Sequence, residues 1–305
     1  MTLRPILVTG MPRSGTTWVG RMLCAGDGAG YLNEPFNLAT SPGTFRIPVD
    51  HWYPYISAEN EGRFLPQLSG AFRFEYPLRR ELARCRTRTD LLHTLKSWRQ
   101  FVRARGRRPL VKEPHAVFSA GWFADRLGSD VVVTVRHPAA VVASWKRLGW
   151  SFDFANLLDQ PALVRERLQP FEQAMRAAAG PEQDLVDRVA LLWRIIYAFA
   201  AEEHASHPEF QVVRQEDLSQ DPAGGYENLY AALGLSFTAD AAAAVAASSS
   251  SENPKETRVE SPHETRIDSR ANLGSWRRRL DADEIRRVRE ITEETAGRYY
   301  PELGW

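Results

Sequence analysis

The segment that most restricts this chain is Gly10-Met11-Pro12-Arg13-Ser14-Gly15-Thr16-Thr17, directly after the apolar stretch 5–10 (PILVTG). A short apolar run ending in glycine reads as a buried strand. Residues 14–25 follow with Trp18, Met22 and Ala25 on one helical stripe. A glycine-bearing turn between strand and helix brings backbone N–H groups and the positive end of the helix dipole to one spot, which suits an anion. The spacing G-x-x-x-x-G-x-T is that of a phosphate-binding loop, except that Thr16 stands where a lysine is expected. That lysine normally reaches the outer phosphates of a nucleoside triphosphate. Its loss, with no obvious acidic metal-holding strand end, disfavours an ATP-dependent small-molecule kinase, which stays as an alternative. Arg13 supplies the positive charge instead, and the Thr16 and Thr17 hydroxyls can donate to the same anion.

The rest of the chain repeats the strand–helix alternation. Strands are expected at 30–33, 109–112, 130–136 and 210–214, of which 130–136 (DVVVTVR) is the clearest. Helices are expected at 89–105, 116–127, 138–148, 162–179, 182–206, 221–233, 239–247 and 281–298. The pattern predicts one α/β domain of the P-loop type over 1–305, a central parallel sheet of about five strands flanked by helices. Residues 36–108 do not fit it cleanly. Their first part is rich in aromatics, Trp52, Tyr53, Tyr55, Phe64 and Phe74 among them, with proline and glycine between. This reads either as an irregular acceptor-side insertion over one mouth of the sheet or as ordinary aromatic packing of a long loop. Residues 248–276 are polar and read as a mobile loop.

Of the 305 residues 43% are hydrophobic, enough for a sizeable core, and the net charge of +1 gives no global field for nucleic acid. Any anion site is therefore local. Two cysteines, Cys24 and Cys85, imply no disulfide framework and fit a reducing compartment. No apolar run approaches the roughly 20 residues of a membrane span, and no charged leader precedes the first strand. A soluble, cytoplasmic protein is the expectation.

A second anion site is suggested by Arg136-His137-Pro138, where a strand ends and a helix begins, with Ser144 about two turns on. Ligands of α/β sheets collect at the C-terminal strand ends, and a guanidinium fork suits a phosphate. Together the two segments resemble PAPS-dependent sulfotransferases, nearest in motif to the tyrosylprotein, carbohydrate-type and bacterial branches. Pro12-Arg13-Ser14-Gly15-Thr16-Thr17-Trp18 is similar to the family's 5′-phosphosulfate loop, and the run from Val132 to Pro138 followed by Val141 to Trp145 to its 3′-phosphate motif. Arg270-Ala271-Asn272-Leu273-Gly274-Ser275-Trp276 resembles the cofactor-closing loop, with Ala271 where the family has glycine.

The resemblance implies transfer of a sulfuryl group from PAPS to a hydroxyl of a small-molecule, carbohydrate or glycolipid acceptor, leaving PAP and requiring no metal. It implies donor contacts from Arg13, Ser14, Gly15, Thr16, Thr17, Trp18, Arg136, Ser144 and Arg270. In-line transfer needs a cation for the leaving group and a base for the acceptor proton. Glu34, in Leu32-Asn33-Glu34-Pro35, matches a catalytic glutamate of some branches. Lys112, in Val111-Lys112-Glu113-Pro114, matches the family lysine that stabilises the leaving group, with Arg13 beside it. His115 is the rival base, one residue further from the lysine than the family histidine. A carboxylate base would need its pKa raised by burial. An inactive PAP- or nucleotide-binding protein is a further alternative, against which the presence of Arg13, Glu34, Lys112, Arg136 and Ser144 together argues.

Overall fold

The computed structural model describes residues 3–26, 28–39, 43–180, 183–257, 264–301 and 305. Its centre is a sheet of five parallel strands: β1 (Ile6–Gly10), β2 (Ala29–Asn33), β3 (Arg108–Lys112), β4 (Asp130–Val135) and β5 (Gln211–Arg214), in the order β2-β3-β1-β4-β5. Alternation divides its residues between two cores. Leu7, Val111, Val131 and Val133 face one side, Ile6, Val8, Leu110 and Val132 the other, all fully buried or nearly so.

Helices cover both faces: α1 (Thr16–Leu23), α2 (Glu61–Phe72), α3 (Leu78–Arg84), α4 (Arg88–Ala104), α5 (Ala120–Leu127), α6 (Pro138–Leu148), α7 (Ala155–Leu158), α8 (Pro161–Leu163), α9 (Glu172–Ala178), α10 (Leu185–Ser206), α11 (Gln215–Gln220), α12 (Pro222–Ala232), α13 (Ala239–Ser249) and α14 (Ala282–Ala296). The apolar stripe of α10 is its spine, with Val189, Leu192, Trp193 and Ile196 wholly buried. No helix among the described residues is long and apolar enough to cross a membrane.

Two expectations need correction. The aromatic segment is not irregular throughout: α2 lies inside it although it contains Gly62, Pro66 and Gly70. Those residues depress helix propensity, but Phe64, Leu68 and Ala71 bury one stripe of the helix, and packing overrides propensity. The expected helix over 162–179 is instead α8, a π-turn (Val164–Leu168), a 3₁₀ turn (Gln169–Phe171) and α9. Pro170 is the cause, since it offers no N–H and its ring crowds the preceding turn.

Because every strand is parallel, the C-terminal ends of β1, β2, β3 and β4 share one edge. Gly10, Glu34, Lys112 and Arg136 meet there. Glu34 is tied to the neighbouring strand end by its own N–H, which donates to the Lys112 carbonyl at 2.8 Å.

Candidate active site

The loop after β1 can form only with glycine at its first position. Gly10 has φ +132°, and a Cβ there would stand 2.4 Å from the Thr134 carbonyl oxygen. Gly15, with φ +102°, precedes α1 and leaves that helix without a side-chain cap. The first amides of α1 are thereby available to an anion. Arg13, between the two glycines, is itself left-handed at φ 78°, a conformation that non-glycine residues hold only when their surroundings impose it.

Distant parts of the chain impose it. The Met11 N–H donates to the Tyr197 hydroxyl at 3.2 Å, and that hydroxyl donates to the Thr134 carbonyl at 2.9 Å. Trp145 Nε1 donates to the Pro12 carbonyl at 3.0 Å, and Trp193 Nε1 to the Arg136 carbonyl at 2.9 Å. Ser14 belongs to this scaffold. Its fully buried hydroxyl donates to the Met11 carbonyl at 2.7 Å and lies 2.7 Å from Thr134 Oγ1. Its side chain therefore faces the sheet and not the cleft, unlike those of Arg13, Thr16, Thr17 and Trp18, which line the cleft.

Four guanidinium groups converge on that cleft: Arg13, Arg136, Arg147 and Arg279. Arg13 Nε donates to Ser144 Oγ at 3.0 Å, and Arg136 Nη1 to the Arg13 carbonyl at 3.2 Å, so the two expected anion sites are one continuous surface. Burial, followed by the charges of Arg136, Arg147 and Arg279, pulls the Arg13 pKa down to about 10. Arg136 is buried, and among the described residues its Nε has no hydrogen-bond partner. Desolvated cations in mutual repulsion, two of them (Arg136 and Arg147) with an orphaned Nε among the described residues, form a surface suited to a polyanion. Arg147 donates to the Thr257 carbonyl at 2.7 Å and to its hydroxyl at 3.0 Å, while Arg279 pairs with Glu256. Sequence reading missed both arginines. It named Arg270 instead, which lies on the surface and donates twice to the Gln220 carbonyl, at 3.0 and 2.6 Å, outside the cleft lining. Part of the expected closing loop, 258–263, lies outside the described residues.

At the other side of the loop, Glu34 is also left-handed, with φ 45°, and 9% exposed. Its Oε1 accepts from Lys112 Nζ and its Oε2 from Asn37 Nδ2 at 2.7 Å. Burial pushes the Glu34 carboxyl up, but the Lys112 charge, the Lys112 and Asn37 hydrogen bonds and His115 hold it below the ordinary carboxylate value. The rise that the sequence argument required of a carboxylate base is therefore not found, because Lys112 lies against this carboxylate and outweighs its burial. Lys112 itself is 1% exposed and lies beneath Glu34, lining neither the cleft nor the cavity next to it.

Glu113, fully buried, fixes both flanks. Its Oε2 accepts from the Phe36 amide at 2.7 Å, and its Oε1 lies 3.1 Å from both the His115 amide and His115 Nδ1. The His115 ring packs against Trp52 and Tyr53, with centroids 4.5 and 5.0 Å away. These rings form one wall of a cavity of about 580 Å³, completed by Trp145, Trp150 and Phe152. Of the insertion aromatics named from sequence, only Trp52 and Tyr53 reach it. Phe64 and Phe74 are core residues, and Tyr55 turns away to donate to Glu166 at 3.0 Å. Glu34, Pro12, Pro114 and Trp150 line both this cavity and the arginine cleft. Among the described residues no cluster of side chains suits a metal ion.

The profile of the family described as "Sulfotransferase domain" matches residues 3–299. Among solved structures, the sulfotransferase domain of the Synechococcus PCC 7002 olefin synthase aligns at 17% identity over 95% of each chain, with a TM-score of 0.44. A sulfotransferase from Mycobacterium avium aligns at 14% identity over 99% of this chain and 77% of its own, with a TM-score of 0.46. A mouse sulfotransferase complexed with PAP aligns at 14% identity over 98% and 87%, with a TM-score of 0.46. A search of curated proteins finds no match.

Proposed function

This chain belongs to the sulfotransferase domain family, and from that premise we propose that it transfers a sulfuryl group from PAPS to a hydroxyl of a small-molecule or carbohydrate acceptor. The observation that carries the reading is the position of Glu34, a buried carboxylate at the junction of a four-arginine cleft and an aromatic cavity. The cleft suits the polyanionic donor, the cavity suits an organic acceptor, and the carboxylate stands where the two would meet.

The residues present fit PAPS. The loop amides, Arg13, Thr16 and Thr17 would hold its 5′ end, and Arg136 with its orphaned Nε, together with Ser144, its 3′-phosphate. When bound, PAPS supplies an activated sulfuryl group on a phosphosulfate anhydride. Arg13, at the loop, neutralises charge on the leaving side. Glu34 takes the acceptor hydroxyl proton. Lys112 acts through Glu34: its ammonium keeps the carboxylate ionised and oriented toward the junction. The assignment of the leaving-group role to Lys112 thus passes to Arg13. The domain spans the whole chain, with the acceptor side built from 36–108 and from the segment after β4.

The sign of the Glu34 shift gives a test. A base whose pKa lies below the ordinary carboxylate value stays ionised as the pH falls, and is lost only beneath that value. With labelled PAPS and a phenol or glycoside acceptor, kcat/KM is expected to stay flat between about pH 7.5 and 5.5, with its acid limb below about 4.3. A tenfold fall across that window would assign the proton to an imidazole, whose ordinary pKa is about 6.5.

A further inference from the structure

We propose that the acceptor carries a cationic amine on an aromatic or apolar body, and that Asp153 at the cavity mouth is the residue that selects it. The inference rests on the sulfotransfer reading and deepens it by naming the acceptor class.

The two compartments differ in charge. The donor cleft draws four arginines together, with Glu34, Glu256 and Glu264 in its lining. The adjoining cavity, among the described residues, is lined by no lysine or arginine but by two carboxylates, Glu34 and Asp153. Lys112 satisfies Glu34 from beneath. The Asp153 side chain accepts a single hydrogen bond among the described residues, from the Ala155 amide at 2.9 Å, and is in no ion pair. It stands exposed at the start of α7, next to Phe152, which is buried.

Three tryptophans, Trp52, Trp145 and Trp150, line the same cavity as the two carboxylates. Trp145 and Trp150 meet edge to face at a centroid separation of 5.8 Å, and the Trp52 ring is tilted against His115 at 4.5 Å. Tryptophan is the aromatic ring that attracts a cation most strongly, and more so where water is excluded. A carboxylate at the rim of such a chamber adds Coulomb attraction for an ammonium and repels an anion. A neutral phenol or sugar gains the ring contacts and the hydrogen-bonding groups of Asn37, Ser151 and Asn156, but not the Coulomb attraction. An acceptor with its hydroxyl toward Glu34 and its ammonium toward Asp153 engages both carboxylates of the cavity, alongside Asn37, His115, Ser151 and Asn156, and places its charge away from the arginines that would repel it.

The test is a calorimetric titration of the PAP-saturated protein, repeated without PAP. The probes are tyramine and 4-(4-aminobutyl)phenol, their neutral counterparts 4-ethylphenol and 4-butylphenol, the anion 4-hydroxyphenylacetate, and a neutral aryl glycoside. One of the amines is expected to bind about tenfold tighter than the neutral phenol of the same length, with the anion weakest. Asp153→Asn is expected to reduce that preference to about twofold, and salt to weaken the amine selectively. The proposal is overturned if the neutral phenol or glycoside binds as tightly as the amine, if no amine binds, or if the preference survives Asp153→Asn intact. Failure of the sulfotransfer reading shows separately, as absence of PAP binding and of sulfuryl transfer to any probe.

Discussion

Glu34→Gln is expected to lower kcat by about a thousandfold while leaving the affinity for PAP within about threefold of the parent protein. The amide keeps the shape of the carboxylate and can still accept from Lys112, so the loop after β2 and its tie to Glu113 persist. It cannot take a proton. Glu34 lines the cleft only at its junction with the cavity, while the arginines come from the loop after β1, the end of β4, α6 and Arg279, so the ligand has little to lose. The buried Lys112 does lose its countercharge, and stability is expected to fall by about 1–3 kcal/mol. Steady-state rates with labelled PAPS, PAP titration and chemical denaturation read the three quantities independently. Turnover close to that of the parent would move the base role to His115, which faces the same cavity.

The second large effect concerns Arg136. Replacing it with alanine is expected to weaken PAP by about 30- to 100-fold, the worth of a lost charge-assisted bidentate contact. Adenosine 5′-phosphosulfate, which lacks the 3′-phosphate, is expected to change by no more than about threefold. The arginine is buried, its carbonyl is held by Trp193, and its Nη1 donates to the Arg13 carbonyl. Arg136→Lys therefore serves as a control: it keeps a charge at the strand end but loses the fork, and should fall between parent and alanine. Equal loss for both ligands would mean that Arg136 shapes the loop and does not read the 3′-phosphate.

The parts of the site that local chemistry dictates could be read in the sequence. Gly10 and Gly15 must be glycine for the backbone to turn where it does, and a strand end followed by proline marks Glu34, Lys112–Glu113 and Arg136 as edge positions. Directions of side chains were not legible. Ser14 sits in the middle of the anion loop yet points into the sheet, and Lys112 ends a strand at the active edge yet is covered by Glu34. Both outcomes depend on Thr134 and Glu34, which reach those residues only through the folded sheet. Arg147, Arg279 and Trp150 escaped for a related reason, and Trp145, though part of the motif read from sequence, gave no sign that it lines the cavity. Only the crossing of α6 over the loop after β1 brings Arg147 to the cleft. In the aromatic insertion, ring content alone could not separate Trp52 and Tyr53, at the cavity, from Phe64 and Phe74, in the core.

The central claim, that the arginine cleft is a PAPS site, is tested most directly by calorimetric titration of the protein with PAP and, separately, with ATP and magnesium. The account predicts a tight PAP complex, with Kd in the micromolar range or below, and ATP bound at least about a hundredfold more weakly. Preference for ATP would mean that the loop from Gly10 to Thr17 serves a triphosphate despite Thr16, and would contradict the assignment of donor, of Arg136 and of the reaction together.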